Sequence, residues 1–108
     1  MSRDKINARY ISDGKIVQTD FFVDEYPDSC PICHQGIEPV LRTAWYEYHT
    51  IAATFLCPKK KCQSLFVSFF ARGRETVGGT SITVFNYKGS VPWVPREHSF
   101  PDEIKSLS

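Results

Sequence analysis

The residues best suited to chemistry in this sequence are four cysteines, and they come as two pairs. The first is Cys30-Pro31-Ile32-Cys33, followed by His34; the second is Cys57-Pro58-Lys59-Lys60-Lys61-Cys62, with four residues between its cysteines. Twenty-three residues separate Cys33 from Cys57, enough for one strand, a tight turn and a returning strand. A hairpin leaving the first pair therefore brings the chain back at the second. Four thiolates converging in this way suit one tetrahedral ion, and Zn²⁺ favours that arrangement in closed structural sites. Each pair opens with Cys-Pro, in a turn whose backbone N–H groups can point at sulfur and tune the site. The ligand set read from the sequence is Cys30, Cys33, Cys57 and Cys62, holding one structural Zn²⁺.

Three other chemistries compete for the same residues. Cys-x-x-Cys-His is the attachment motif of c-type haem. That reading needs an export route, which the opening MSRDKINARY does not signal, and it leaves Cys57 and Cys62 without a role. A catalytic dithiol usually opens a helix whose N-terminus lowers a thiol pKa, but Gly36 and Pro39 break any helix after the first pair. Iron would take the same four thiolates in a rubredoxin-like site. Against iron, the residues after the pairs are His34 and Gln63, where such knuckles favour glycine. Zinc is the preferred reading, and iron or dithiol redox chemistry the alternative. His34 would have to turn back past Cys33 to reach the same ion, so it reads as a surface residue beside a filled site. His49 and His98 have no convincing partner.

The elements that must position these cysteines read as strands. Eight Phe, five Tyr and two Trp in 108 residues point to a β-rich core. Strands are expected near 6–11 and 15–23, joined by Ser12-Asp13-Gly14, a strong hairpin signal. VLRTAWYEY at 40–48 is strand-like, with His49-Thr50 as the connection into IAATFLC, which delivers Cys57. SLFVSFFA after Cys62 is apolar on both faces, as a central strand is. A loop rich in glycine and charge, RGRETVGGT, then leads to SITVFNY, which Lys88-Gly89-Ser90 ends in a turn. The close, VPWVPREHSFPDEIKSLS, carries Ser99, Pro101, Asp102 and Glu103, the pattern of a helix start. About two turns of such a helix are too short to be stable alone, so it reads as the opening of a longer helix or one that docks on the rest.

Composition narrows the classes further. Thirteen Lys and Arg against twelve Asp and Glu announce no strong field for nucleic acid or membrane. No apolar run approaches the roughly 20 residues needed to span a bilayer, and a cytoplasmic setting with reduced thiols is expected. Lys59, Lys60, Lys61, Arg72 and Arg74 gather around the second pair in the sequence. Their plainest role is to offset the charge of about −2 that four thiolates and one divalent cation leave. The same cations beside Trp45, Tyr46, Tyr48, Phe66, Phe69 and Phe70 also fit a surface that stacks single-stranded nucleic acid, though these aromatics fit a small β core better. Gly73 to Thr80 has nearly the P-loop spacing but lacks its lysine and joins two strands, so it reads as a hairpin loop. A catalytic zinc keeps an open position with three protein ligands, which four cysteines do not leave. No enzyme and no small-molecule substrate is expected.

CPIC, FLCPKKKCQSLFVSFF and FPDEIKSLS together resemble the N-terminal zinc-ribbon portion of a bacterial and phage family in which the ribbon precedes a helical domain of unknown function. That helical domain is sometimes fused to restriction-enzyme subunits. The resemblance runs from about Ser29 to Ser108, places Cys30, Cys33, Cys57 and Cys62 at the family's metal positions, and implies no defined activity. The expectation is therefore a mainly β fold, with zinc-ribbon-like antiparallel hairpins around a four-cysteine site and a short C-terminal helical start. It divides into an N-terminal hairpin arm packed on the ribbon (1–28), the ribbon (29–90) and a proline-rich tail (91–108). The expected function is recognition or scaffolding within a larger bacterial or phage protein. The alternative is a nucleic-acid-binding ribbon using Lys59 to Lys61 with Arg72 and Arg74.

Overall fold

The computed structural model describes residues 4–93. The proposed helix start at 99–108, and His98, lie outside the described residues. Six strands follow one another: β1 (Asp4–Ser12), β2 (Lys15–Val23), β3 (Val40–Glu47), β4 (Thr50–Leu56), β5 (Leu65–Val77) and β6 (Thr80–Pro92). They close into a barrel in the order β1-β2-β6-β5-β4-β3. The mainly β expectation holds. Among the described residues no helix is long and apolar enough to cross a membrane, which says nothing of crossing by strands.

The barrel consists of a hairpin, β1–β2, laid across a four-stranded antiparallel meander, β3 to β6. Two parallel seams close it, through Arg9 with Trp45 and through Val23 with Phe85. The second seam has a side-chain clasp: Asp24 donates its amide to the Phe85 carbonyl at 2.9 Å and accepts the Tyr87 amide on its carboxylate at 2.8 Å.

All three hairpins turn through two residues of positive φ, the geometry that matches strand twist. Asp13-Gly14 (φ 51° and 76°) was legible. The connection of β3 to β4 is Tyr48-His49 (φ 50° and 63°), one residue earlier than the sequence suggested. Histidine enters this region more readily than most residues, but tyrosine does not, and the pairing of β3 with β4 imposes the turn. Between β5 and β6 the loop shrinks to Gly78-Gly79 (φ 57° and 82°), and RGRETV is strand. Gly73 serves packing there, because a Cβ at that position would lie 2.5 Å from Asn86 Nδ2 and 3.2 Å from the Val84 carbonyl. Lys88-Gly89-Ser90 is likewise no turn. β6 runs on to Pro92, and the register skips Lys88 in a bulge whose Gly89 takes φ 137°.

Inward side chains alternate along every strand. Ile51, Ala53 and Phe55 of β4 and Phe66 and Phe70 of β5 are wholly buried. Phe55 stacks on Phe66 at 5.8 Å between ring centroids, and Phe85 meets Phe21 and Tyr46 edge-on at 5.4 and 5.7 Å. Each such pair adds about 0.5–1.5 kcal/mol beyond its burial. The buried Ser68 hydroxyl lies 2.6 Å from that of Ser90, which lies 2.6 Å from Tyr87 OH, so no hydroxyl of this trio is stranded in the core.

Tyr26 ties the hairpin to the meander: its hydroxyl donates to the Lys5 carbonyl at 2.6 Å and its ring packs edge-on against Phe55. Burial, with the nearby Asp4 carboxylate, raises its pKa above the ordinary 10.0. A raised folded-state pKa means that the fold favours the neutral phenol. This contribution is complete below the unfolded pKa and is lost as pH climbs through the folded one. Chemical denaturation in a series above pH 10 should therefore show an alkaline loss of stability that Tyr26→Phe diminishes. At neutral pH the same change should cost about 0.5–1.5 kcal/mol for the missing hydrogen bond. An alkaline profile unaltered by the substitution would remove Tyr26 as its source.

Candidate metal centre

Two loops at one end of the barrel carry the cysteines. The first lies between β2 and β3, and the second joins β4 to β5. In the first, the Cys30 amide donates to the Gln35 carbonyl at 3.1 Å, the His34 amide to the Cys30 carbonyl at 2.8 Å, and Ser29 and Gly36 form an isolated antiparallel bridge. The second repeats this design on a longer loop. The Cys57 amide donates to the Ser64 carbonyl at 3.0 Å, while the Cys62 and Gln63 amides both donate to the Lys59 carbonyl, at 2.9 and 3.0 Å. In each loop the residue after the second cysteine has positive φ, 61° at His34 and 46° at Gln63. The absence of glycine there weighed against a rubredoxin-like knuckle in the sequence. The backbone adopts the left-handed turn without it, so that argument against iron falls away.

These turns bring the four sulfurs together: all lie within 4.8 Å of one another. Cys30 Sγ is 3.8 Å from Cys62 Sγ, and Cys33 Sγ is 3.8 Å from Cys57 Sγ. A tetrahedral ion with bonds of about 2.3 Å to sulfur has an S···S edge of about 3.8 Å. A disulfide needs about 2.05 Å, and all four cysteines are free. Both short contacts cross from one loop to the other, whereas a Cys-x-x-Cys dithiol would pair within its own loop.

The surroundings treat the sulfurs unequally. Cys30 and Cys57 belong to the buried core, while Cys33 and Cys62 are half-buried at its rim. The Ile32 and Cys33 amides approach Cys30 Sγ at 3.3 and 3.5 Å, the N–H-to-sulfur contacts that stabilise a thiolate. Burial pushes the Cys57 thiol up to about 12, whereas the Ser64 hydroxyl and then its amide hold Cys62 down to about 7. A cation at the centre must displace the thiol protons, so binding is coupled to pH. Ser64, whose one hydroxyl proton is shared between the Cys62 sulfur and the Cys62 carbonyl at 3.2 Å, escaped the sequence reading. A small hydroxyl residue two positions after the last cysteine is too common to mark such a role.

Lys59, Lys60 and Lys61 are all exposed on the second loop, where they face solvent beside the sulfurs. Arg72 and Arg74 stand elsewhere, seven and nine residues past the start of β5. At about 3.3 Å per strand residue they are roughly 23 and 30 Å from it. Arg72 Nη1 lies 3.1 Å from Nδ1 of His49 at the β3–β4 turn, which gives that histidine a partner. His34 is exposed on the outside of its loop. Of the aromatics weighed for stacking, Phe66 and Phe70 are core, Tyr46 packs against it, and Trp45 and Phe69 are half-buried. Tyr48, at 83% exposure, stands out in solvent at the hairpin tip.

No family model, curated protein or solved structure matches this chain.

Proposed function

We propose that Cys30, Cys33, Cys57 and Cys62 hold one Zn²⁺ in a closed structural site, and that the barrel is a non-enzymatic recognition or scaffolding module of a larger bacterial or phage protein. The observation that carries this reading is the mutual approach of four sulfurs, with two contacts at the edge length of a thiolate tetrahedron. Four protein donors leave no position for substrate, which supports a structural rather than a catalytic ion. The bacterial or phage setting rests on the sequence resemblance of the two pairs and the FPDEIKSLS ending.

Cobalt substitution tests the closed site. Co²⁺-loaded protein should show the intense absorption of a tetrahedral thiolate centre, unchanged when azide or cyanide is added. A spectrum that responds to those anions would reveal an open position and would overturn the structural assignment.

Nucleic-acid binding is the weaker reading, because the structure divides the basic residues between the metal end and the middle of β5. What favours it is three consecutive exposed lysines beside a shallow depression lined by Gly36, Ile37, Glu38, Pro58 and Lys59. If this loop holds phosphates, affinity for single-stranded DNA should fall steeply with salt, and Lys59, Lys60 and Lys61 changed to Gln should flatten that slope. A slope indifferent to the substitutions removes the idea.

A further inference from the structure

The outside of the meander is nearly as apolar as its inside. Three cross-strand rows face outward: Trp45–Ala52–Phe69–Gly89, then Thr43–Thr54–Val67–Val91, then Val40–Leu56–Leu65, where the Trp93 amide bonds to the Leu65 carbonyl. None of these positions is charged. The outward rows of the β1–β2 hairpin are more polar, pairing Lys5 with Phe22, Asn7 with Asp20 and Arg9 with Gln18, with Ile11–Ile16 an apolar pair at the tip. A barrel wetted on its outside alternates apolar and polar residues along each strand. β5 does not, and β4 does so only through Thr50 and Thr54; Ala52 and Val67, at the middle of the face, are buried, and its open residues lie at the rim. Val40, Val91 and Trp93 are 46%, 40% and 38% exposed.

We propose that this face is the seat of the chain's own residues 94–108, with Phe100, Ile104 and Leu107 as the side chains that cover it. These three stand at i, i+4 and i+7, one stripe of a helix, with Asp102, Glu103 and Lys105 between them. A helix of about two turns does not persist alone in water, so such a stripe needs an apolar surface to form against. The chain leaves the barrel at Trp93, on the border of this face. The seven residues 94–100 reach up to about 24 Å, enough to cross it.

The size of the face selects this occupant over a second copy. Four strands about 4.8 Å apart and three rows about 6.8 Å apart make roughly 400 Å². A standard interface needs about 800 Å² from each partner. A tethered segment meets the face at high effective concentration, so a small area suffices.

Both tryptophans of the chain, Trp45 and Trp93, lie on this face, so their fluorescence reports whether it is covered. In the metal-loaded full chain, Phe100→Asp with Ile104→Asp should shift the emission to the red and increase quenching by acrylamide. Phe100→Leu with Ile104→Leu should leave both as they were, and the intact protein should sediment as a monomer with emission independent of concentration. Emission and quenching unmoved by the aspartates would overturn the proposal. So would emission that depends on concentration alongside a sedimenting dimer, which would assign the face to a second copy.

Discussion

Cys57→Ser should abolish the cooperative thermal unfolding transition of this domain, and a strong chelator should do the same to the unaltered chain. Cys57 sits at the end of β4 with no exposure, continuing the inward row of Ile51, Ala53 and Phe55 into the metal centre. Its loss acts twice. A serine hydroxyl does not replace a thiolate on zinc, leaving three ligands, and the hydroxyl is buried at a further cost of about 1–3 kcal/mol if unpaired. Structural zinc contributes an apparent binding free energy of roughly 10–16 kcal/mol in small domains. A domain of this size is typically stable by about 5–15 kcal/mol in total. A zinc ion held here would therefore be enough to decide whether the domain folds. Cys62→Ser should be milder, since Cys62 is only half-buried at the rim. Circular dichroism melts of the three proteins, with and without chelator, check this. A transition retained within a few degrees in Cys57→Ser would mean that the barrel stands without its metal.

Phe55→Ala should be the most damaging change away from the sulfurs, at about 3–5 kcal/mol. The ring is fully buried, stacked on Phe66 and met edge-on by Tyr26, so it joins both walls of the barrel beside Cys57. Its removal leaves a cavity that the closed sheet has little freedom to collapse. Tyr48→Ala at the exposed hairpin tip is the control and should move stability by no more than about 0.5 kcal/mol. Equal effects of the two in urea denaturation would contradict the placement of Phe55.

The meeting of the four cysteines was easier to read from the sequence than the architecture. The cysteine spacing, with one hairpin between the pairs, foretold that the four sulfurs meet, because the chain between Cys33 and Cys57 is long enough to go out and return. Asp13-Gly14 announced its turn because glycine there relieves a real steric cost. Tyr48-His49 adopts the same turn with no such mark, driven by the pairing of β3 with β4 on either side. RGRETV resembled a loop by its charge, yet it pairs residue by residue with β6, and its Arg72 and Arg74 are exposed to water. Barrel closure left no signal at all. Each seam is a single parallel bridge, and what fastens the second is Asp24, one carboxylate among several in an acidic stretch.

Native mass spectrometry of protein purified without added metal tests most directly whether the four sulfurs hold one ion. The predicted result is a chain carrying one zinc, which chelator removes together with the folded charge-state distribution. Protein that arrives without metal and keeps its folded distribution, or that carries iron or haem, would contradict it.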